Sequence, residues 1–354
     1  MPLLTRMIGA PLFVDIGPGA VRELAPLLAD RRISAGGHVA VVVGPGLGEE
    51  IADALGPELV NASVWKLDAE GGSVGEANEL AKRLRGGYYD ALVGIGGGRT
   101  LDVSKFASTL SGLPLVAVAT SLAHDGIASP VASLVEAGRK GSYGVQMPIA
   151  IVVDLDYVRR SEPARRRSGI GDVISNLSAI ADWQLAGTVR GEPVDGLAVT
   201  FARTAATAIL HRADGIEDEA FLIALAEALV LSGLAMATAG SSRPCSGADH
   251  EILHAIDHLY PGTARHGELA GAATLFCAFL RDDADMAAAV DACLRRHGLP
   301  RLPADLGLDE AQFAAAVEHA PGTRPDRFTV LEHLGLDAEG VSGRVRAFVA
   351  AFDR

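Results

Sequence analysis

The sequence predicts an α/β protein in two parts, a mostly parallel open sheet over residues 1–157 and an all-helical domain over residues 158–354. Three observations predict it. Through the first ~150 residues, β-branched runs too continuous to be half-exposed alternate with amphipathic stretches, the pattern of buried parallel strands joined by right-handed helical crossovers. From Val158 onward those runs disappear and Ala/Leu-rich helical periodicity takes over, as in DGLAVTFARTAATAIL and EDEAFLIALAEALVLSGLAMATAG. A chain of 354 residues also exceeds one compact domain of ~100–200 residues.

The elements follow in order. PLFVDIG (11–17) reads as a strand, and Pro18-Gly19 opens a helix through AVRELAPLLAD. HVAVVVG (38–44) is a buried strand, EEIADALG (49–56) a helix, ASVWKL (62–67) a short strand, and GEANELAKRL (75–84) has helical spacing. YDALVGIGGG (89–98) is a strand ending in three glycines, after which TLDVSKFASTLSG (100–112) resumes a helix. PLVAVAT (114–120) and IAIVVDLD (149–156) are further buried strands, and the Gly-rich VEAGRKGSYGVQMP (135–148) is a hairpin or loop. RRSEPARRRSG (159–169), with one proline and five arginines, is the expected junction.

Composition bounds the function. Against 44 Asp and Glu stand 31 Lys and Arg, a net charge of -13, which disfavours a nucleic-acid partner but leaves room for a small anionic substrate. The three cysteines, Cys245, Cys277 and Cys293, are odd in number and contain no CxxC pair, so free thiols in a reducing cytoplasm are expected. The start, MPLLTRMIGAPLFV, lacks the apolar core of a secretory signal. Mean hydropathy is +0.26, yet the apolar runs read as broken by Gly, Arg or Asp before they reach spanning length, so no membrane insertion is expected.

Three constellations carry chemistry. In GIGGGRTLDVSK (94–105) a buried strand turns sharply at Gly96-Gly97-Gly98 into a helix near Thr100, where backbone N–H groups and the helix dipole can hold a pyrophosphate. An ordinary glycine-rich turn fits the same residues, and the GxGxxG spacing is absent. In ATSLAHDGIASP (119–130) a loop emerges at the carboxyl end of a strand, where open α/β sheets bind ligands. Asp125 and Ser129 there suit either hydroxyl contacts or a capped turn. The third is a metal set. SGIGDVISN places Asp172 near the start of a helix, and SSRPCSGADHEILHAIDHLYPGTARHGE carries His250, His254, His258 and His266. The first three are spaced i, i+4, i+8 and share a helix face, and one carboxylate with two imidazoles suits zinc.

Taken in order, GGGRTLDVSK, TSLAHDGIASP, GDVISN…DW, GSSRPCSGADHEILHAID and HGE closely resemble the sn-glycerol-1-phosphate dehydrogenase family. That family lies in the superfamily of glycerol dehydrogenase, iron-containing alcohol dehydrogenase and dehydroquinate synthase. The resemblance runs from about residue 10 to residue 280. It implies an N-terminal Rossmann-like dinucleotide domain, a C-terminal helical domain that binds metal and substrate, and an active site in the cleft between them. It implies reversible reduction of dihydroxyacetone phosphate to sn-glycerol 1-phosphate with NADH or NADPH and one Zn2+ per chain, in a cytoplasmic homo-oligomer. Gly96, Gly97, Gly98, Arg99 and Thr100 would contact the cofactor diphosphate, and Thr120, Ser121, Leu122, Ala123 and Ser129 would line the cofactor site. Asp172, His250 and His266 would hold zinc, while Asp125, Asp172 and His254 would contact substrate and serve the chemistry.

The residues sharpen several choices. Iron alcohol dehydrogenases carry a histidine ligand one turn after the aspartate; Asn176 stands there in this chain, which favours zinc. The strand HVAVVV is followed by Gly44-Pro45-Gly46 with no acid before Glu49, so use of both NADH and NADPH is expected. Zinc would polarise the ketone oxygen as hydride arrives, with water or His254 relaying the proton. Arg243 and Lys140 are candidates for the substrate phosphate, and Arg243 could equally form an ion pair. His124 and His258 are expected to be supporting residues. The alternatives are a polyol dehydrogenase of the glycerol dehydrogenase type, a sugar-phosphate cyclase resembling dehydroquinate synthase, and a metal-stabilised binding protein without catalysis.

Overall fold

The computed structural model describes residues 9–56, 62–67 and 71–353, so most of the N-terminal stretch read for a signal lies outside the described residues. The chain divides into two compact units, Met1–Pro163 and Ala164–Arg354.

In the first unit, strands β1 (Phe13–Gly17), β2 (Val39–Val43), β3 (Ser63–Lys66), β4 (Ala91–Gly96) and β5 (Leu115–Ala119) alternate with helices α1 (Leu24–Leu28), α2 (Leu47–Ala54), α3 (Val74–Gly86) and α4 (Gly98–Ser111). A hairpin of β6 (Val131–Glu136) and β7 (Arg139–Gly144) comes next, then β8 (Ala150–Asp154) and the short α5 (Leu155–Val158). Six strands form one parallel sheet in the order β1-β8-β5-β4-β2-β3. Alternate residues of the central strands feed two cores. Val41, Val43, Val93, Ile95 and Val118 pack with Leu24 and Ile51 on one face. Ala40, Val42, Leu92 and Leu115 pack with Leu80, Leu84 and Val103 on the other. Helices cover both faces, which is why β2, β4, β5 and β8 read as unbroken apolar runs. The order reverses between β2 and β4, where an open sheet presents its ligand crevice. There the Gly44–Gly46 and Gly96–Gly98 loops lie side by side, with the Gly44 N–H donating to the Ile95 carbonyl at 2.8 Å. The segment expected as hairpin or loop is an antiparallel hairpin that starts at Val131. It turns through Ala137 and Gly138, both at positive φ as a two-residue hairpin turn requires.

The second unit is helical. It comprises α6 (Pro163–Arg190), α7 (Gly196–Leu210), α8 (Glu219–Ala239), α9 (Ala248–Leu259), α10 (His266–Leu280), α11 (Ala284–His297), α12 (Glu310–His319), α13 (Val330–Leu334) and α14 (Ala338–Phe352). Two sequence expectations differ here. The Arg-rich segment does hold the division between the units, but α6 begins inside it: Pro163 sits at the first helical position, where its missing N–H costs nothing, and Ala164 to Arg167 are good helix formers. Asp172 therefore lies about two and a half turns inside a 28-residue helix rather than near a helix start. Second, α8 is long and apolar enough to cross a membrane, against the expectation that no run reaches that length. It packs along α7 with most of its surface buried, as a core helix does. Phe276, Phe279, Phe313, Phe348 and Phe352 join α10, α12 and α14 through ring contacts of 5.2–6.3 Å.

The tightest packing in this unit is backbone on backbone. Gly171 of α6 meets Gly267 of α10 so closely that a Cβ on Gly171 would overlap the Gly267 carbonyl, and one on Gly267 would overlap the Ser168 carbonyl. The Ser168 hydroxyl accepts from the Gly267 N–H at 3.0 Å, satisfying one orphan donor of the first turn of α10. Gly171→Ala is expected to lower stability by about 2–3 kcal/mol, as overpacking between rigid backbones does. Gly196→Ala, at the open start of α7 with nothing within 4 Å, is expected to leave stability unchanged or slightly raised. Thermal denaturation of both variants checks this, and a Gly171→Ala melting point equal to wild type would contradict it.

Candidate active site

In the first unit the glycine loop is shaped by what its Cβ atoms would meet. A Cβ on Gly96 would lie 2.7 Å from Thr100 Cβ, and one on Gly44 would overlap the Thr100 hydroxyl. Thr100 is thus a buried wedge between two strand ends, and its side chain is engaged in packing. Gly97 differs. It is extended (φ -82°, ψ -176°) and its open side faces the Ser121 and Thr120 hydroxyls, 3.8 and 4.0 Å from where a Cβ would sit. Gly98 opens α4 against the ring of His124, whose Nδ1 accepts from the Gly126 N–H at 3.0 Å. Gly97 and Gly98 thus open α4 beside the Thr120 and Ser121 hydroxyls, a set of donors at a helix N-terminus of the kind that fits a pyrophosphate.

The other residues expected at this site are placed unequally. Arg99 is exposed and lies along Gly72. Ala123 and Asp125 are half-buried on the loop, and Asp125 accepts at its carbonyl from the Ala128 and Ser129 N–H groups, both at 2.9 Å. Leu122 is fully buried. Ser129 is buried too, its hydroxyl donating to the Val131 carbonyl at 3.3 Å. Beneath the loop lies the fully buried Lys105, 2.9 Å from Asp102 and donating to the Ser129 and Val131 carbonyls. This ammonium fixes the shape of the HDGIASP loop. Lys140 is exposed on β7.

In the second unit α6, α9 and α10 bring Asp172, His250 and His266 together, with one donor atom from each inside 4.8 Å of the others. Asp172 Oδ1 is 3.3 Å from His266 Nε2 and 3.9 Å from His250 Nε2. The buried Asp249 carboxylate bonds His250 Nδ1, which fixes the ring so that Nε2 points into the cluster. One carboxylate and two oriented imidazoles fit a divalent transition ion with positions left for other ligands. Asn176 turns away, donating to the Ala202 carbonyl at 3.3 Å and the Ser232 hydroxyl at 2.9 Å. His254 lies one turn beyond His250, ring centroids 6.3 Å apart, and its Nε2 accepts from Arg324 Nη2 at 3.0 Å. The exposed His258 continues that face outward to the half-buried His319, with 2.9 Å between ring nitrogens.

Arg243 takes the ion-pair option left open above. Its Nε donates to Glu192 Oε1 at 2.7 Å, and its Nη2 donates to Glu192 Oε2 and, at 3.2 Å, to the Phe328 carbonyl. The sequence reading missed the partners that hold the site. Asp182, in the DW pair, is fully buried: its Oδ2 accepts from the Ala248 N–H, and its Oδ1 from the Val330 N–H, each at 2.8 Å, with Arg281 2.6 Å from Oδ1. Arg324 and Arg327 come from GTRPDRF, a polar break in an otherwise Ala/Leu-rich half. Burial, reinforced by Arg324 and Arg243, pulls the Arg327 guanidinium down to about 10, and its fork holds the Ser246 carbonyl and the Ser242 hydroxyl. Burial, then the Glu332 charge, pushes the Glu251 carboxyl up to about 9.

Residues 15–161 match the profile of the family described as iron-containing alcohol dehydrogenase. A probable glycerol dehydrogenase from Sinorhizobium meliloti superposes with a TM-score of 0.77 over 98% of both chains, at 23% identity, a likeness of fold. Glycerol-1-phosphate dehydrogenase [NAD(P)+] of Methanosarcina acetivorans is 33% identical over 325 residues, covering 91% of this chain and 90% of that one. The chain belongs to the glycerol-1-phosphate dehydrogenase family. The same-named enzyme of Sulfurisphaera tokodaii is 32% identical over 341 residues and 96% of each chain. The family makes this chain an NAD(P)-dependent dehydrogenase acting on a CH–OH group.

The cradle geometry separates two neighbouring glycines. Gly97→Ala meets no atom within 3.8 Å and is expected to fold normally while weakening NADH binding at least about tenfold, roughly 1.4 kcal/mol. Gly96→Ala forces Thr100 aside and is expected to lower the melting point first. Nicotinamide fluorescence titration beside thermal denaturation reads both, and unchanged NADH affinity in Gly97→Ala would remove this loop from the cofactor site.

Proposed function

We propose that the chain catalyses zinc-dependent, reversible reduction of dihydroxyacetone phosphate to sn-glycerol 1-phosphate, with NADH or NADPH, in the cytoplasm. The observation that carries this reading is the Asp172, His250 and His266 cluster with His254 one helical turn on, in a chain whose relatives bear the name of that activity. The glycine cradle of the first unit, with Arg99, Thr120 and Ser121, would take the dinucleotide, which supplies the hydride. The cluster would take a divalent ion, which supplies Lewis acidity toward a carbonyl oxygen.

The chain's own residues do the rest. Asp249 holds His250 in the tautomer that keeps Nε2 unprotonated. With Nε2 accepting from Arg324, the neutral His254 carries its one proton on Nδ1 and would offer a hydrogen bond to a substrate oxygen there, with water carrying the exchanged proton. Asp125, on the loop shaped by Lys105, is the further substrate contact. Support for using both cofactors comes from Glu49, the first acid after β2. Its carboxylate accepts from Lys66 Nζ at 2.9 Å and from the Gly46 N–H at 3.4 Å, so it is already matched by a cation. The Lys66 hydrogen bond holds the Glu49 carboxyl below its ordinary range.

The test is an oxidation screen with NADH and NADPH across phosphorylated and free ketones, before and after chelation. Dihydroxyacetone phosphate is expected to be the best substrate, with activity lost on chelation and restored by zinc. The two cofactors are expected to differ by less than about 100-fold in kcat/KM, roughly 2.7 kcal/mol. A faster reaction with an unphosphorylated polyol or ketone would favour the glycerol dehydrogenase type, and activity that survives chelation would refute the metal role.

A further inference from the structure

Helix α4 is set tightly on the sheet, because a Cβ on Gly94 or Gly96 would lie 2.7 Å from the Ser104 or Thr100 hydroxyl. The segment after β5 is tied to this helix at three heights. The His124 ring lies against Gly98, Lys105 donates to the Ser129 and Val131 carbonyls, and Thr109 Oγ1 accepts from the Gln146 N–H at 2.8 Å. The middle tie is a buried ion. An ammonium has three donors, and each finds an acceptor: the Asp102 carboxylate at 2.9 Å, the Ser129 carbonyl at 3.4 Å, and the Val131 carbonyl. Lys105 and Asp102 are both buried. Asp102 lies on the same helix and balances the charge, so the two carbonyls are what the ammonium positions. The Ser129 hydroxyl donates to the same Val131 carbonyl at 3.3 Å, so it serves the tie, while the Thr120 and Ser121 hydroxyls face Gly97. An apolar side chain in place of Lys105 would avoid the desolvation of a charge, but would remove the donor that fixes both carbonyls.

We propose that Lys105 is the positioning residue of the dinucleotide site: with the Ser129 hydroxyl, it holds the loop carrying Thr120, Ser121 and Asp125 in register with the N-terminus of α4. The dinucleotide then meets a site whose two sides are already set, and little ordering is left for the moment of binding. Ser129 acts through the Val131 carbonyl, in place of the direct cofactor contact expected from the sequence. This rests on the placement of the dinucleotide at the glycine cradle.

The test sets cofactor affinity against stability. NADH titration by nicotinamide fluorescence and thermal denaturation are read for wild type, Lys105→Met, and Lys105→Met combined with Asp102→Asn. Lys105→Met leaves Asp102 buried without its cation and is expected to lower both affinity and melting point. Asp102→Asn removes that charge. The double variant is therefore expected to regain most of the lost melting point yet bind NADH at least about tenfold more weakly than wild type. Affinity that recovers together with the melting point would overturn the proposal and leave the pair as a support of the fold. Should the double variant fail to fold, Ser129→Ala decides. It is expected to weaken NADH about fivefold and to speed hydrogen exchange at the Gly126 and Ala128 amides of the loop, while β4 and β5 keep wild-type rates. Weakened NADH with unchanged loop exchange would make Ser129 a direct cofactor contact and overturn the proposal. Should Gly97→Ala bind NADH as tightly as wild type, the placement of the dinucleotide fails, and this assignment with it. Weakening in Gly97→Ala beside full recovery in the double variant overturns this assignment alone.

Discussion

The contact between the α6 and α10 backbones at Gly171 and Gly267 is the constraint on which the helical unit depends. Each glycine is the sequence neighbour of a residue in the cluster, Asp172 on one helix and His266 on the other. Because no side chain separates the two backbones, the carboxylate of one helix comes within 3.3 Å of the imidazole of the other. A single methyl at either glycine would separate them. Gly271, one turn later, continues the crossing: its Cβ would lie 3.2 Å from Gly171 Cα. The third donor arrives by a different device. Gly247, at the N-cap of α9, packs against Ala179 of α6, and Asp182 accepts from the Ala248 N–H, fixing where α9 begins and hence where His250 points.

Asp182 shows what this placement costs. Burial raises its pKa, opposed by Arg281, which also donates to the Ser178 carbonyl and hydroxyl. A buried ion pair of this kind contributes little net stability, because desolvation offsets the attraction. Its effect is positional, joining α6, the end of α10 and the starts of α9 and α13 around one carboxylate. Asp249 plays the corresponding part for His250. Order in the cluster thus comes from buried carboxylates, each matched to a named donor, with Asp249 aiming the His250 Nε2 at the Asp172 carboxylate.

Much of this was legible in the sequence. The sheet strands were visible because helices bury both faces, so VAVVV and AIVVD carry no polar alternation to obscure them. The GGGRT and HDGIASP turns were legible because only glycine and small residues permit those approaches. The run of four histidines from His250 to His266 stands out in an Ala/Leu-rich half, and the family resemblance selects Asp172, His250 and His266 as the metal set. What escaped was set by tertiary contact. Arg243 reads equally as a phosphate ligand or as half of an ion pair, because nothing local reveals that Glu192, 51 residues earlier, lies beside it. The helix start before Asp172 was misplaced because an arginine run reads equally as junction or as helix. Gly171 and Gly267 stood in plain view beside two donors, but their pairing is a fact about two helices, not about either motif. Arg324 lies beyond the motifs altogether, and its contact with His254 spans 70 residues.

The account's central claim is that three residues from three helices, and not the neighbouring histidines, form one divalent site. Calorimetric titration of zinc into the metal-free protein tests it most directly. One ion per chain is predicted for wild type and for His254→Ala and His258→Ala. Asp172→Asn, His250→Ala and His266→Ala are each predicted to lose at least about 100-fold in affinity while remaining folded. Full-strength binding in the three cluster variants, or its loss in His258→Ala, would contradict the account.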